Sequence, residues 1–233
     1  MPGRTQKSDR PPLTRDRVIE AALRLMDEEG LEAISMRRVA RDVGVEAMSL
    51  YHHVADKEDL LAGVVERVMA EFVVPATPDA GWDRYGREVA RAWRRLLTAH
   101  PHVMPLLAHS DQKVVRPHSL RPMEEALRVL REAGLSERDA VQGFHVMGGY
   151  IMGFVLLEAG GMFGRSDDHG GAAHPAPAWS AVVSAETYPY IAASLPHLDA
   201  CDLDEQFEFG LDLMFEGLRA RAGRSPSPVG ETA

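Results

Sequence analysis

The chain has 233 residues, 45% of them apolar, enough for one large core or two small ones. Lys and Arg number 26 against 35 Asp and Glu, a formal net charge of −9; this excludes indiscriminate coating of nucleic acid but not a local basic face, because counterion release depends only on the phosphates contacted. A single cysteine, Cys201, excludes an intrachain disulfide and, with no secretion leader in view, sets the expectation of a reducing, cytoplasmic setting.

Residues 1–12 read as a disordered basic arm, with Arg4, Lys7 and Arg10 against Asp9 alone. Two roles stay open for it, a solubilising tail or an arm reaching phosphates or the minor groove. Thr14 then caps a first helix, with Leu13 and Val18 placed as a hydrophobic staple. Val18, Ala22 and Leu25 form its inward stripe, and Gly30 ends it. Ser35 caps a second helix whose apolar face is Met36, Val39, Ala40 and Val43. Gly44 supplies the turn, and Leu50 falls where the next short helix is buried. Asp56 caps a fourth helix, with Asp59 three residues on, and Leu60, Leu61, Val64, Val65 and Val68 make it apolar on two sides. Pro75 and Pro78 break the pattern, so one domain is expected over residues 13–74 and a second over 79–222, with a disordered tail over 223–233.

In the second domain Trp82, Tyr85, Val89, Trp93 and Leu96 recur at helical spacing. Pro101 and Pro105 leave room for a short helix around residues 103–108. Leu120, Met123, Leu127 and Leu130 mark the next, closed by Gly134. Ser136 opens another that runs to about Ala159, with Val141, Phe144, Gly148, Met152 and Val155 expected on one stripe. The apolar run from Phe144 to Leu157 falls short of the ~20 residues a bilayer span needs, so it reads as a buried helix and no membrane partner is expected. Residues 160–177 read as a long loop, followed by a short helix around 187–194. The last helix, about 203–221, has Phe207, Leu211, Met214, Phe215 and Leu218 on one side, with Phe209 and Leu213 on the other. The fold class is all-α. Two helices apolar on opposed faces call for a second copy, so a two-fold four-helix bundle is expected, with Val141, Gly148, Met152, Phe207, Leu211, Met214, Phe215 and Leu218 at the homodimer interface.

The stretch from Ser35 to His53 has the spacing of a helix-turn-helix, although an ordinary αα-corner also needs a glycine with flanking aliphatics. The following residues, LYHHVADKEDLL, resemble the signature of TetR-family transcriptional regulators, and with the first helix the resemblance covers about Thr14 to Phe72. The phrase FEFGLDLMFEGLRA also resembles the end of the tetracycline-repressor class of C-terminal domain. The resemblance implies an N-terminal DNA-binding domain and a larger effector-binding and dimerisation domain. It puts Arg37 at a base-reading position, where Arg suits guanine O6 and N7. Ala47, Met48 and Ser49 lead the recognition helix, and Ala47 departs from the longer polar residue of the tetracycline repressor. Tyr51 and His53 match phosphate or base contacts, with a packing role open for Tyr51. His52 replaces a tryptophan, and Lys57 matches a phosphate clamp at a helix N-terminus.

Trp93, Met104, Met123, Phe144, Met147 and Tyr150 are expected to line an apolar, adaptable cavity, with His145 and Glu158 as polar handles. His145 is either a satisfied core histidine or a hydrogen-bond partner for a ligand. In the tetracycline repressor a His and a Glu hold metal-chelated drug. Those positions fall on or near Leu107 and on Leu157 here, so no metal and no cofactor are expected. His100, His102, His109 and His118 lack metal-ligand spacing. The glycines at 148, 149 and 153 lie within a helix and do not make a phosphate loop. The expected function is a bacterial repressor released from a palindromic operator by a small apolar effector, without divalent metal. Its rivals are a helical enzyme using the pocket, or an interaction protein with a vestigial helix-turn-helix.

Overall fold

The computed structural model describes residues 12–74, 81–108, 120–160, 182–198 and 202–223. The expectations for the basic arm before residue 12, for Pro75, Pro78, His109, His118 and Cys201, for the loop over 161–177 and for the tail from 224 lie outside these residues. In chain order the described helices are α1 (Arg15–Glu29), α2 (Met36–Val43), α3 (Ala47–Leu50), α4 (Lys57–Met69), α5 (Trp82–Ala99), α6 (Met104–Ala108), α7 (Arg121–Glu132), α8 (Glu137–Ala159), α9 (Pro189–Leu198) and α10 (Leu203–Ala222), with 3-10 turns at Leu31–Ala33 and Pro101–Val103. They fall into two compact units, residues 1–71 with 102–119, and residues 72–101 with 120–233.

The first unit is set by local chemistry. Thr14 Oγ1 accepts from Arg17 N at 3.3 Å, Ser35 Oγ from Arg38 N at 3.2 Å and Asp56 Oδ1 from Asp59 N at 2.7 Å, so three helix starts are capped by side chains. Gly44 sits at φ 77°, ψ 38°, where a Cβ is strained. Its N–H donates to Arg41 O at 3.2 Å while Val45 N–H reaches Ala40 O at 2.9 Å, the pair of bonds that satisfies the last carbonyls of α2 and turns the chain into α3. Val18, Ala22, Leu25, Met26, Val39, Ala40, Leu50, Leu60, Val64 and Val68 are each no more than 2% exposed. They form one core under α3, and burying each larger aliphatic contributes roughly 1.5–3 kcal/mol.

The second unit is organised on α5, with α7 and α8 against it and α10 running antiparallel to α8. Close approach is made at glycines. A Cβ on Gly86 would lie 2.8 Å from both Phe215 and Val129, and one on Gly143 would lie 3.1 Å from Leu218. The buried stripe of α8 is therefore Ala140, Gly143, Met147, Ile151, Phe154 and Val155. Of the expected stripe of Val141, Phe144, Gly148, Met152 and Val155, Val155 is buried as expected, and the other four are corrected, since they lie beside the buried stripe rather than on it. Val141 is 40% exposed, and Phe144, Gly148 and Met152 are half-buried. The small residues Ala140 and Gly143, not the bulky ones, mark the side where helices cross.

A second correction concerns α10. Phe207, Leu211, Phe215 and Leu218 are 1%, 0%, 0% and 9% exposed within the single chain. They fill the core of their own unit and leave no surface for a second copy, while Met214 is half-buried. An ion-pair ladder holds that face inward. Arg87 Nη1 reaches Asp212 at 2.6 Å, Arg91 grips Glu208 through two bonds of 2.7 and 2.6 Å, Arg94 Nη1 reaches Asp204 at 2.7 Å, and Arg219 pairs with Asp83. The guanidinium groups of Arg87 and Arg94 also lie 4.8 and 4.7 Å from the ring centres of Phe215 and Phe207. Each partly exposed pair contributes little alone, on the order of 1 kcal/mol or less, but the set fixes the register of α10 along α5.

The outer sides are apolar as well. Val146 and Leu156 on α8 are each 63% exposed, and Phe209 and Leu213 on α10 are 64% and 56% exposed. Among the described residues α8 is the one helix long and apolar enough to cross a bilayer, with 33% of its most apolar window buried inside the chain. Its length goes beyond the short apolar run read from the sequence, and its inner face is used against α5, α7 and α10. Helix α9 has no buried residue.

Candidate nucleic-acid interface

Helix α3 is held from below and open above. Leu50 is fully buried, whereas Met48 is 72% and Tyr51 46% exposed. His52 is exposed, and Ala47, Ser49 and His53 are half-buried. Arg37 on α2 and Lys57, the first residue of α4, are both exposed. The positions carried over by resemblance thus divide into an outward set (Arg37, Met48, Tyr51, His52, Lys57) and a half-buried set (Ala47, Ser49, His53).

Two residues not foreseen from the sequence complete this surface. Arg15 Nη1 donates to His53 O at 2.8 Å and to Asp59 Oδ2 at 2.9 Å, and its Nη2 donates to Asp59 Oδ1 at 2.8 Å. Asp59 Oδ2 also accepts from Ala55 N at 3.0 Å. One guanidinium thereby ties the start of α1, the end of the recognition helix and the first turn of α4 together. The Asp59 hydrogen bond raises the Arg15 pKa further, keeping the group charged. Asp59 was expected only as a capping-box partner, and nothing in a linear sequence pairs it with a residue 44 positions away. The second is Arg41, exposed and one helical turn beyond Arg37. Arg38, between them, is committed to Glu29.

The residues expected around an effector cavity are more dispersed. Trp93 is half-buried and meets Phe72 edge-on, ring centres 6.1 Å apart. Met147 is 8% exposed and Phe144 half-buried. Met104, 8% exposed, belongs to the first unit. Met123 is 38% exposed, and His145, expected in the core or in a pocket, faces outward on α8. Tyr150 is committed elsewhere: its Oη donates toward Phe207 O at 3.0 Å and Gln206 O at 3.2 Å, and its ring stacks on Phe207 at 5.6 Å. Burial pushes this phenol above its usual pKa, and Gly210 is the residue that leaves room for its ring. Glu158 is bound by Arg94 at 3.2 and 3.3 Å.

A cleft of about 510 Å³ lies between α5, the end of α8 and the start of α10. Its walls are the ion pairs of Arg91 and Arg94 together with Arg95 and Thr98; of the residues expected around the cavity Glu158 lines it, and Trp93, Met104, Met123, Phe144, His145, Met147 and Tyr150 do not. Thr98 Oγ1 is buried there without a protein partner. Among the described residues no three His, Cys, Asp or Glu side chains gather as a metal ion requires.

Comparison with known proteins gives this geometry its context. Residues 18–64 match the family model for bacterial regulatory proteins of the tetR family, and residues 74–222 match that for the tetracyclin repressor-like C-terminal domain. The chain is 32% identical over 221 residues to the HTH-type transcriptional repressor DrrR1 of Streptomyces coeruleorubidus, spanning 92% of this chain and 80% of that one. It is 30% identical over 206 residues to the class A tetracycline repressor protein from transposon 1721 of Escherichia coli, spanning 88% and 89% of the two chains. The crystal structure of the Streptomyces coelicolor TetR family protein ActR in complex with actinorhodin superposes with a TM-score of 0.74 at 26% identity, over 92% of this chain and 99% of that one. With the recognition helix anchored beneath and its reading face open, the chain belongs to the TetR family of helix-turn-helix, DNA-binding transcriptional regulators.

Proposed function

We propose that this chain is a repressor that grips a palindromic operator as a homodimer and is released by a small molecule carried in its second unit. The observation that carries the reading is the contrast on the helix-turn-helix. Leu50 and Arg15 fix the recognition helix from within, while Arg37, Met48, Tyr51 and Lys57 are exposed and their side chains make no hydrogen bond or ion pair among the described residues. In this reading Arg37 reads a guanine edge, with Ser49 and His53 nearby as smaller polar groups. Lys57 at the N-terminus of α4, with Arg41, Tyr51 and His52, holds phosphates.

The dimer is formed on the outer sides of α8 and α10. Val146, Gly149, Gly153 and Leu156 recur at three and four residues on α8, and Phe209, Leu213 and Gly217 recur at four on α10. Among the described residues, nothing beyond the adjoining turns of the same helix lies within 4 Å of a Cβ built on Gly148, Gly149, Gly153 or Gly217, which supports close approach by a second copy. Of the interface residues expected from the sequence, Val141, Gly148, Met152 and Met214 stay in this reading at its margin. The actinorhodin complex of the ActR relative supports a small-molecule effector, and the second unit is where the cleft beside Glu158 and the apolar side chains of Trp93, Phe144 and Met147 are found. The effector is apolar or aromatic, acts without a divalent metal, and no catalysis is part of the reading. Ligand binding favours the dimer geometry whose recognition helices no longer meet successive major grooves.

Selection from random duplexes tests the first part: the recovered sites should be palindromic and bind with strong salt dependence. Recovery of no sequence preference would defeat the repressor reading. Operator release by candidate aromatic effectors, with and without EDTA, tests the second. A response lost on chelation and restored by magnesium would defeat the metal-free effector.

A further inference from the structure

We infer that Met48 reads the C5-methyl group of a thymine in the operator's major groove, so that each half-site carries a thymine beneath the leading turn of α3. The inference rests on the operator-binding reading above and names a chemical feature of its DNA. In the first unit, among the described residues, the exposed large apolar side chains are Met48 and Tyr51, at 72% and 46%. They stand three residues apart and so share one face of the recognition helix. The other bulky apolar groups described in that unit are buried or half-buried, down to Leu50 between these two at 0%. An apolar strip left open at the reading surface, and there alone, points to a surface it covers when the protein binds.

The chemistry narrows what that surface is. The Met48 thioether is a weak acceptor and no donor, and Ala47 beside it carries no polar atom. Ala47 and Met48 therefore cannot pair strongly with a purine edge, or with the cytosine amine, whose hydration would be lost without replacement, and in the leading turn only Ser49 offers a polar side chain. Among the groups that the base pairs present in the major groove, the thymine methyl is the apolar one. The Met48 side chain has three rotatable bonds and a polarisable sulfur, so it can settle on a methyl without exact backbone placement. Hydrogen-bond readout then falls to Arg37, and the two residues divide the half-site into a methyl-read and a donor-read position.

Deoxyuridine differs from thymidine only by that methyl. With an operator recovered by selection, each thymine is replaced in turn by deoxyuridine, symmetrically in both half-sites, and binding is titrated for the wild type and for Met48→Ala. The expected result is one position per half-site at which the wild type loses about fifteenfold in affinity for the symmetric replacement, about fourfold for each buried methyl group, and at which Met48→Ala shows no difference between the two bases. Replacing a cytosine at that position by 5-methylcytosine should recover part of the loss caused by a T-to-C change. Tolerance of deoxyuridine at every position, or a penalty that persists in Met48→Ala, would overturn the inference while leaving operator binding intact. Failure to recover any operator would instead strike at the repressor reading itself.

Discussion

In the first unit the apolar faces, apart from the strip of Met48 and Tyr51, turn into one core, and the helix ends that matter are closed by their own neighbours in sequence. In the second unit α8 and α10 carry apolar residues on two opposite sides, one spent inside the chain and one left outside it. On α10 the inner side is Phe207, Leu211, Phe215 and Leu218, and the outer side holds Phe209 and Leu213. The difference teaches that a two-faced helix says a partner exists without saying which face it takes. Here the ion-pair ladder from α5 makes the choice, because Asp204, Glu208 and Asp212 lie on the flank that turns the phenylalanines inward.

The strongest way to break this comparison is to put a charge on each side of α10. Leu211→Asp buries an unpaired carboxylate in a site with no exposure and should cost roughly 3–5 kcal/mol, enough to unfold or aggregate the second unit. Phe209→Asp or Leu213→Asp should leave helix content and the cooperative melt nearly unchanged, while sedimentation shifts from dimer to monomer and operator binding is lost. A folded monomer from Leu211→Asp, or an intact dimer from both outer variants, would reverse the assignment of faces.

A smaller effect is expected at the tie within the first unit. Arg15→Ala removes three hydrogen bonds and leaves Asp59 without its fork. The group is partly solvated, so the cost is discounted to about 1–2 kcal/mol. Binding should fall roughly tenfold on operator DNA and less on a scrambled duplex, since the recognition helix loses its fixed pose while phosphate charges remain. Asp59→Asn should behave the same way. If denaturant midpoints move but the operator-to-scrambled ratio at low temperature does not, Arg15 supports stability alone.

The smallest effect is expected at Lys57, whose side chain is exposed and makes no hydrogen bond or ion pair among the described residues. Lys57→Ala should leave the melt untouched, weaken binding equally across sequences, and flatten the log–log salt dependence by about one phosphate contact. An unchanged slope would remove Lys57 from the phosphate-holding set.

Much of the first unit was legible because its determinants are short-range. The caps at Thr14, Ser35 and Asp56, the left-handed Gly44 and the buried Leu50 each follow from a few neighbouring residues. The family resemblance of LYHHVADKEDLL then placed the DNA-facing positions. The Arg15 tie was not legible, since it joins residues far apart in sequence and either partner alone reads as ordinary surface charge. In the second unit the extents of α8 and α10 were legible from the cap at Ser136 and from their apolar runs, but the side each turns inward was not. Phe144 and Met152 outweigh Ala140 and Gly143 on any hydrophobic scale, although closest helix approach selects the small residues. Tyr150 read as a cavity residue for the same reason, because an aromatic on an apolar helix gives no sign that a backbone carbonyl on another helix will take its hydroxyl.

The sequence by itself determined where helices start and stop, that the described residues are helical without strands, and that two short helices turn about Gly44, while the family resemblance supplied the DNA-binding role of the second. These depend on capping, backbone freedom and helical periodicity, which act over a few residues. Only the tertiary structure decided which faces of α8 and α10 are core, which charges are spent in the α5–α10 ladder, and that Met48 is left open above a recognition helix held by Arg15. Those outcomes depend on the crossing of helices distant in the chain, where the partner's shape and charge, not the residue's own hydrophobicity, select the face.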